Sequence, residues 1–573
     1  MVMKHEIIKE IENILKKLGV KNPKVSFDAP VHMKMGDYTT SVALAYAKEL
    51  GKKPLDLAEE ITRGLSQGDL SKQIEIKAVA PGFVNFFFDN KYFAKNIMEI
   101  LKEKDPFVHD KELEGQKFFV EHTQPNPFKE FHIGHLMNNT IGESVCRIIK
   151  SAGADVKVAT YHGDIGLHIA KAVWAIKKGM AQKDAYAYGH KAYEEDDNAK
   201  QEIIEINKEV YDKSNPEINK IYDVERKNSL DYFESVYKLL DSHFDYHFYE
   251  SQSGIVGKEL VMQNIGKIFE NGDGGAVIFR GENYEPKTHT RVFLNSDVLP
   301  TYEAKELGLS KIKKDLWHFA KSITVTANEQ DAFFNVVEVA IGEVFPDLKG
   351  KLKHLSHGMM KLPSGKMSSR TGTIIPAEDL INQVKQKVLE KMNTREDFTK
   401  TVFDTQLGSK ASKLDEIATT VAIGAIKYSI LRQAIGGDII FDFDKSISFE
   451  GDSGPYLQYS TVRANSVLKR AQFSIPNIHL EALLPSEWKT INLERLLERF
   501  GGVLSRAVAE YAPHHIATYL IELSGEFNSF YASEKIIGAE DGNSPYRLAI
   551  VKAFAEVMTT GLDLLGIKVP ERM

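Results

Sequence analysis

Residues 117–150 read KFFVEHTQPNPFKEFHIGHLMNNTIGESVCRIIK. Phe118, Phe119 and Val120 form an apolar run of strand length, and Pro125, Asn126 and Pro127 then turn the chain. His132-Ile133-Gly134-His135 opens a helix, because Ile141, Val145, Ile148 and Ile149 recur on one face. Strand, loop and helix N-terminus in succession suit phosphate. The first helical turn has N–H groups without intrahelical partners and carries the positive end of the dipole. Gly134 removes a side chain where a base or phosphate can approach the backbone. His132 and His135 project from the same side of that turn. Two histidines at a helix start also serve as caps or surface residues, so H-x-G-H alone does not decide.

The motif has company. Glu121, Asn126 and Lys129 precede it, and Lys366-Met367-Ser368-Ser369-Arg370 lies far downstream in the glycine-flanked loop LPSGKMSSRTG. This pair of motifs, in this order, resembles the class I aminoacyl-tRNA synthetases. The surrounding residues resemble the arginyl-tRNA synthetase family in particular. The resemblance implies a multidomain protein with a doubly wound, Rossmann-like α/β catalytic domain carrying the HIGH and KMS motifs. A small N-terminal α/β domain and a C-terminal all-α bundle flank it.

Composition agrees with a protein of this kind. The chain has 573 residues, too many for one core, so about three domains are expected. It is 43% hydrophobic and 27% charged, which fits neither disorder nor a membrane protein. No apolar run reaches the roughly 18 residues of a spanning helix, and the N-terminus lacks the apolar core of a signal peptide. The lone cysteine, Cys146, excludes internal disulfides and cysteine-rich zinc sites. The expectation is a cytoplasmic monomer without zinc. A net charge of −7 leaves RNA binding to local basic surfaces.

Three domains are read along the chain, with bounds 1–112, 113–405 and 406–573. In the first, Ile7, Ile11, Ile14 and Leu15 mark an amphipathic helix. Gly36-Asp37 caps a second helix, and Pro54 starts a third. Ile74, Ile76 and Ala78 alternate, Pro81-Gly82 turns, and Val84, Phe86 and Phe88 alternate again, a hairpin. The wording resembles the family's appended tRNA-contacting domain, where Lys52 and Lys53 could serve. In the second, a strand at Val156–Thr160 runs into Gly163-Asp164, where a doubly wound sheet binds ligands. Residues 179–240 are polar and helical in pattern, an insertion in which the run Glu194–Asp197 reads as solvated surface. In the third, Tyr456, Tyr459 and Arg463 share a face with Val467 and Arg470, a pattern that suits stacking of unpaired bases and equally a bundle interior.

Carried over by position, the resemblance implies ATP contacts at Gly134, Gly163, Asp164, Ser368 and Ser369. Catalytic roles fall to Lys129, His132, His135 and Lys366. Arginine contacts fall to Glu121, Asn126, Glu250, Tyr302, Glu306 and Gln330, and tRNA contacts to Tyr456, Tyr459 and Arg463. A guanidinium has five donors in a plane and is read best by carboxylates. The family commonly has aspartate where Glu306 stands, serine at Gln124 and tryptophan at Ile165. Arg370 replaces the more common second lysine of the KMS loop, and Lys129 is expected to supply the missing charge. The implied substrates are L-arginine, ATP with Mg²⁺, and arginine tRNA. Another class I synthetase, a small-molecule nucleotidyltransferase and a non-catalytic tRNA-binding relative are the alternatives.

Overall fold

A computed structural model describes residues 2–573 apart from 31, 68–73, 103–110, 362, 364–374, 394–409, 473–483 and 539–542. The chain divides into two units. One comprises Met1–Phe107, Arg463–Val503 and Glu522–Met558. The other comprises Val108–Val462, Leu504–Ile521 and Thr559–Met573.

In the first unit, helix α1 (Val2–Lys17) buries Ile7, Ile11 and Leu15, as their spacing predicts. Strand β1 (Tyr38–Thr40), helices α2 (Val42–Tyr46) and α3 (Pro54–Leu65), and strands β2 (Ile74–Val79) and β3 (Phe83–Phe88) follow, then α4 (Asn90–Lys102). The predicted hairpin is present, with Ile74 opposite Phe88, Ile76 opposite Phe86 and Ala78 opposite Val84. Gly36-Asp37 does not cap a helix. Tyr38–Thr40 instead pair with β3. Gly36 has φ +111°, and a Cβ there would lie 2.7 Å from the Phe86 carbonyl, so only glycine brings the chain this close. The Asp37 carboxylate accepts the Phe88 N–H at 2.8 Å and pairs with Arg495. Local capping chemistry therefore lost to a tertiary contact.

The second unit holds the predicted α/β domain. Its elements are β4 (Lys117–Glu121), α5 (Ile133–Ser151), β5 (Asp155–His162), α6 (Leu167–Lys177), the inserted helices α7 (Gln182–Glu195), α8 (Asp197–Asp212) and α9 (Pro216–Leu239), β6 (Tyr246–Tyr249) and α10 (Glu250–Gln263). A small antiparallel sheet follows, of β7 (Glu270–Asn271), β8 (Val277–Arg280) and β9 (Thr290–Leu294). Then come α11 (Tyr302–Leu316), β10 (Lys321–Ala327), α12 (Asp331–Val344) and β11 (Leu352–His357). Five strands form a parallel sheet in the order β11-β10-β4-β5-β6. The chain enters at β4, builds β5 and β6 to one side, then returns to build β10 and β11 on the other. This reversal opens a crevice at the carboxyl ends of β4 and β10, where such sheets bind ligands. The HIGH loop leaves β4 at that crevice.

After the short strand β12 (Met360–Lys361) comes α13 (Ala377–Asn393), and beyond it helices predominate, as the period predicts. In α14 (Lys410–Leu431), Val421, Ala425 and Tyr428 are buried. The Lys427 ammonium is also buried and donates to the Leu240 and Gly566 carbonyls at 2.6 and 2.7 Å. Burial pushes it down to about 8. Lys427→Met strands two buried acceptors and is expected to cost about 2–4 kcal/mol in denaturant unfolding at pH 7. The depressed lysine also makes the wild type gain stability from about pH 8 to 10.5, because the unfolded chain binds the extra proton there. The variant should lack that gain.

Candidate active site

Beyond β4 the backbone takes positive φ at three non-glycine residues, Thr123 (79°), Gln124 (48°) and Phe128 (65°). Such angles persist only where the surroundings impose them. Asn139 donates to the Thr123 hydroxyl at 3.1 Å, Gln124 to Glu121 at 2.7 Å, and the Phe128 N–H to Ser229 at 2.9 Å. The loop thus delivers the chain to His132, which N-caps α5 with extended backbone.

The two histidines form a reciprocal cap. His132 Nδ1 accepts the Gly134 N–H at 3.1 Å, and His135 Nδ1 accepts the His132 N–H at 3.2 Å. The rings stack with centroids 3.7 Å apart. With both Nδ1 atoms accepting, each ring carries its proton on Nε2 and can donate from there. Burial, then the Lys129 charge, pushes His132 down to about 4. Burial holds His135 well below its usual value, assisted by His132 and Lys129. Both are neutral donors at pH 7. The need for Gly134 is closer to home than expected, since a Cβ there would lie 3.0 Å from the His132 ring.

A cavity of about 640 Å³ lies at the sheet reversal. His132, Gly134 and His135 line it, with Asn126 and Gly163 from the loops after β4 and β5. Glu250, Tyr302, Glu306 and Gln330 complete the predicted set on its wall. Asn126 Oδ1 accepts the Gly163 N–H at 3.2 Å, and a Cβ on Gly163 would collide with that oxygen at 2.5 Å.

Three predicted acids converge here in different electrostatic states. Glu250 pairs with Lys305 at 2.6 Å, both buried. Glu121 is fully buried behind the wall, pairs with Lys313 and accepts from Gln124. Glu306 has no hydrogen bond or ion pair among the described residues and faces the cavity. Burial, then the Glu121 charge, pushes it up to about 8 against the pull of Lys313. The two lysines were not anticipated. Their signal was present, because Tyr302, Lys305, Glu306, Leu309 and Lys313 share one face of α11, and cations on a face carrying a buried Leu309 need buried partners.

Asp164 is not on the wall. Fully buried, it accepts from Arg226 at 2.9 Å and from the Ser251 N–H at 2.8 Å, so it caps α10 and ties it to α9. Lys129 also lies off the wall, its ammonium 3.9 Å from the centre of the Tyr186 ring. Lys366, Ser368 and Ser369 fall outside the described residues. Tyr456 and Tyr459 are half-buried on the helix Gly454–Ala471, and the Tyr459 ring meets Phe449 edge-on at 6.4 Å. Arg463 donates to Asn528 and lies 5.0 Å from the Tyr531 ring.

Residues 96–443 match the family model "tRNA synthetases class I (R), catalytic domain", so the cavity at the sheet reversal belongs to a class I aminoacyl-tRNA synthetase. Residues 4–88 match "Arginyl tRNA synthetase N terminal domain" and 457–573 match "DALR anticodon binding domain". The arginine–tRNA ligase of Flavobacterium psychrophilum is 30% identical over 98% of this chain and 96% of its own. That of Treponema denticola is 29% identical over 96% and 95%. The arginyl-tRNA synthetase structure from Thermus thermophilus shares the fold, with TM-score 0.75 and 24% identity over 99% of this chain and all of the other. The chain belongs to the arginyl-tRNA synthetase family, ATP-dependent ligases that charge tRNA with arginine.

Proposed function

We propose that the carboxylate of L-arginine attacks the α-phosphate of ATP in this cavity. A carboxylate–phosphorus bond forms as the α–β phosphoanhydride breaks, and pyrophosphate leaves. The 2′-hydroxyl of the terminal adenosine of arginine tRNA then attacks the arginyl carbonyl, an ester forms as the acyl–phosphate bond breaks, and AMP leaves with the hydroxyl proton lost to solvent. The observation that carries this reading is Glu306, a half-buried acid on the cavity wall that makes no ion pair among the described residues. A guanidinium supplies the missing charge in planar form. Asn126, Glu250, Tyr302 and Gln330 complete the amino-acid contacts, while Glu121 acts from behind by keeping Glu306 basic. His132 and His135 donate from Nε2 to phosphate oxygens in the transition state, each worth about 3 kcal/mol. Gly134 and Gly163 border the nucleotide, and Asp164 fixes the turn beside it. Lys366, Ser368 and Ser369 take the phosphate side on resemblance. Mg²⁺ enters with ATP as part of the substrate. Tyr456, Tyr459 and Arg463 are read as tRNA contacts, on a cytoplasmic monomer.

ATP–pyrophosphate exchange with a panel of amino acids, with and without arginine tRNA, tests the reading. Exchange with arginine is the expected result, and the family resemblance implies that it needs tRNA. Exchange with another amino acid would overturn the pocket assignment. Lys129→Ala is expected to slow adenylate formation roughly 10²-fold with folding intact, as loss of one charge on the triphosphate implies. Unchanged single-turnover kinetics would remove Lys129 from the reaction.

A further inference from the structure

The inserted helices reach the reaction centre. Tyr211 of α8 lies within electrostatic reach of Lys305, the partner of Glu250. Tyr186 of α7 lies under the Lys129 ammonium at 3.9 Å. Among the described residues Lys129 makes no ion pair and no hydrogen bond, although α7 carries Asp184, Glu194 and Glu195. The ring therefore holds its charge. Lys129 is half-buried, and its charge is felt at His132, His135 and His168.

The placement of Tyr186 is built in. Gly189, one turn along α7, lies against the backbone of α6. A Cβ there would fall 2.0 Å from the Lys171 carbonyl, so the two helices cross at the closest approach a residue allows. Ala185 is buried in the same contact. On α6, Lys171 is tied by His190 at 3.0 Å and by the Tyr193 ring at 4.0 Å, which keeps this second cation from moving toward Lys129. Helix α7 is thus fixed in both position and rotation.

We propose that Tyr186 is a positioning residue for adenylate formation, holding the Lys129 ammonium beside the histidine pair as a cation–π station. The choice of a ring over a carboxylate has a physical reason. A carboxylate would neutralise Lys129 and compete with the triphosphate for it. An aromatic face orients a cation through its quadrupole without cancelling the charge, and it holds weakly enough to release it to phosphate. On this account the insertion is part of the catalytic apparatus, because it keeps Lys129 ready for ATP.

The inference rests on the proposed role of Lys129, and a double-mutant cycle separates the two. Single-turnover adenylate formation is measured with arginine tRNA present, across ATP concentrations, for Tyr186→Phe, Tyr186→Leu, Lys129→Ala and the Tyr186→Leu/Lys129→Ala pair. Thermal unfolding of each confirms that it is folded. Tyr186→Phe keeps the ring and should retain most of the rate. Tyr186→Leu should lose roughly tenfold, the span of one cation–π contact. In the Lys129→Ala background the same change should cost nothing further. A drop in Lys129→Ala with full activity in Tyr186→Leu overturns the station and leaves the lysine's role standing. A silent Lys129→Ala overturns the role of the lysine and the station with it. Equal losses from Tyr186→Leu in both backgrounds, or a Tyr186→Phe as slow as Tyr186→Leu, show that Tyr186 acts through something other than Lys129.

Discussion

His132→Ala is expected to slow adenylate formation by roughly 10²–10³-fold, the loss typical of one preorganised donor to a developing oxyanion. The same substitution removes the N-cap of α5, at about 1 kcal/mol of stability. The two effects can be parted with His132→Asp. Aspartate is among the best N-cap residues, so its carboxylate can accept the Gly134 N–H and restore the stability lost in the alanine variant. It cannot donate to phosphate, and its charge opposes the triphosphate, so the rate should fall at least as far as in His132→Ala. Recovery of the rate along with the stability would mean that His132 acts only as a cap. The cap itself explains how the donor is prepared. Accepting at Nδ1 leaves the ring proton on Nε2, and burial holds the ring at about 4, so it stays a neutral donor across pH 6–8. Adenylate formation should therefore show no inflection from this group above about pH 5. Stability should fall as pH drops from 6.5 toward 4, because the unfolded chain takes up the proton first.

What was legible in the sequence were elements whose signal is local. The apolar face of α5, the alternation of β2 and β3, and the strand–loop–helix order around HIGH all follow from spacing within one segment. The pairings that determine the chemistry are not local. Glu121 meets Lys313, Glu250 meets Lys305, and Asp164 meets Arg226 and Ser251, each across a long stretch of chain. Motif position assigns Glu121, Glu250 and Glu306 alike to arginine, with Glu306 standing where the family commonly has aspartate, yet of the three only Glu306 makes no ion pair among the described residues. Asp164, which looked like an ATP contact, is occupied by the protein itself. Tyr186 and Tyr211 escaped notice because their segment is polar and carries no motif. Their importance comes from the crossing of α7 over α6 at Gly189, a three-dimensional fact written as one glycine. Gly36 misled in the same way, its close approach to β3 reading locally as a helix start.

Arginine affinity should rise with pH up to about 8 and then level off. Glu306, pushed up to about 8, is mostly protonated in the empty cavity at pH 7, and it must ionise to pair with a guanidinium. Binding at pH 7 therefore releases close to one proton, and affinity should be about tenfold weaker than its plateau. The charges that face this carboxyl are Glu121 from β4, Glu250 from α10 and Lys313 from its own helix. Tyr161 from β5 feels its charge in turn. Glu121 and Glu250 pair with Lys313 and Lys305, so the proton released on binding leaves this acid cluster, in which Glu306 is the member without an ion pair among the described residues. Calorimetry at pH 7 in two buffers of different ionisation enthalpy counts the proton directly, and identical heats in both would refute the linkage. Glu306→Gln should abolish the release and weaken arginine by roughly 10²-fold, the usual loss for one partner of a desolvated charge pair. The free amino acid titrates identically in both proteins, so the difference reports the side chain. The same group predicts a reversed effect on stability. A carboxyl raised in the folded state costs stability as pH climbs from its unfolded value through about 8. At pH 9 the empty Glu306→Gln protein should therefore unfold at a higher temperature than the wild type, and saturating arginine should close the gap by stabilising only the wild type. A pocket that is unstable empty and satisfied by one planar cation discriminates without an editing site, because competitors lacking the guanidinium leave the buried acid unpaired.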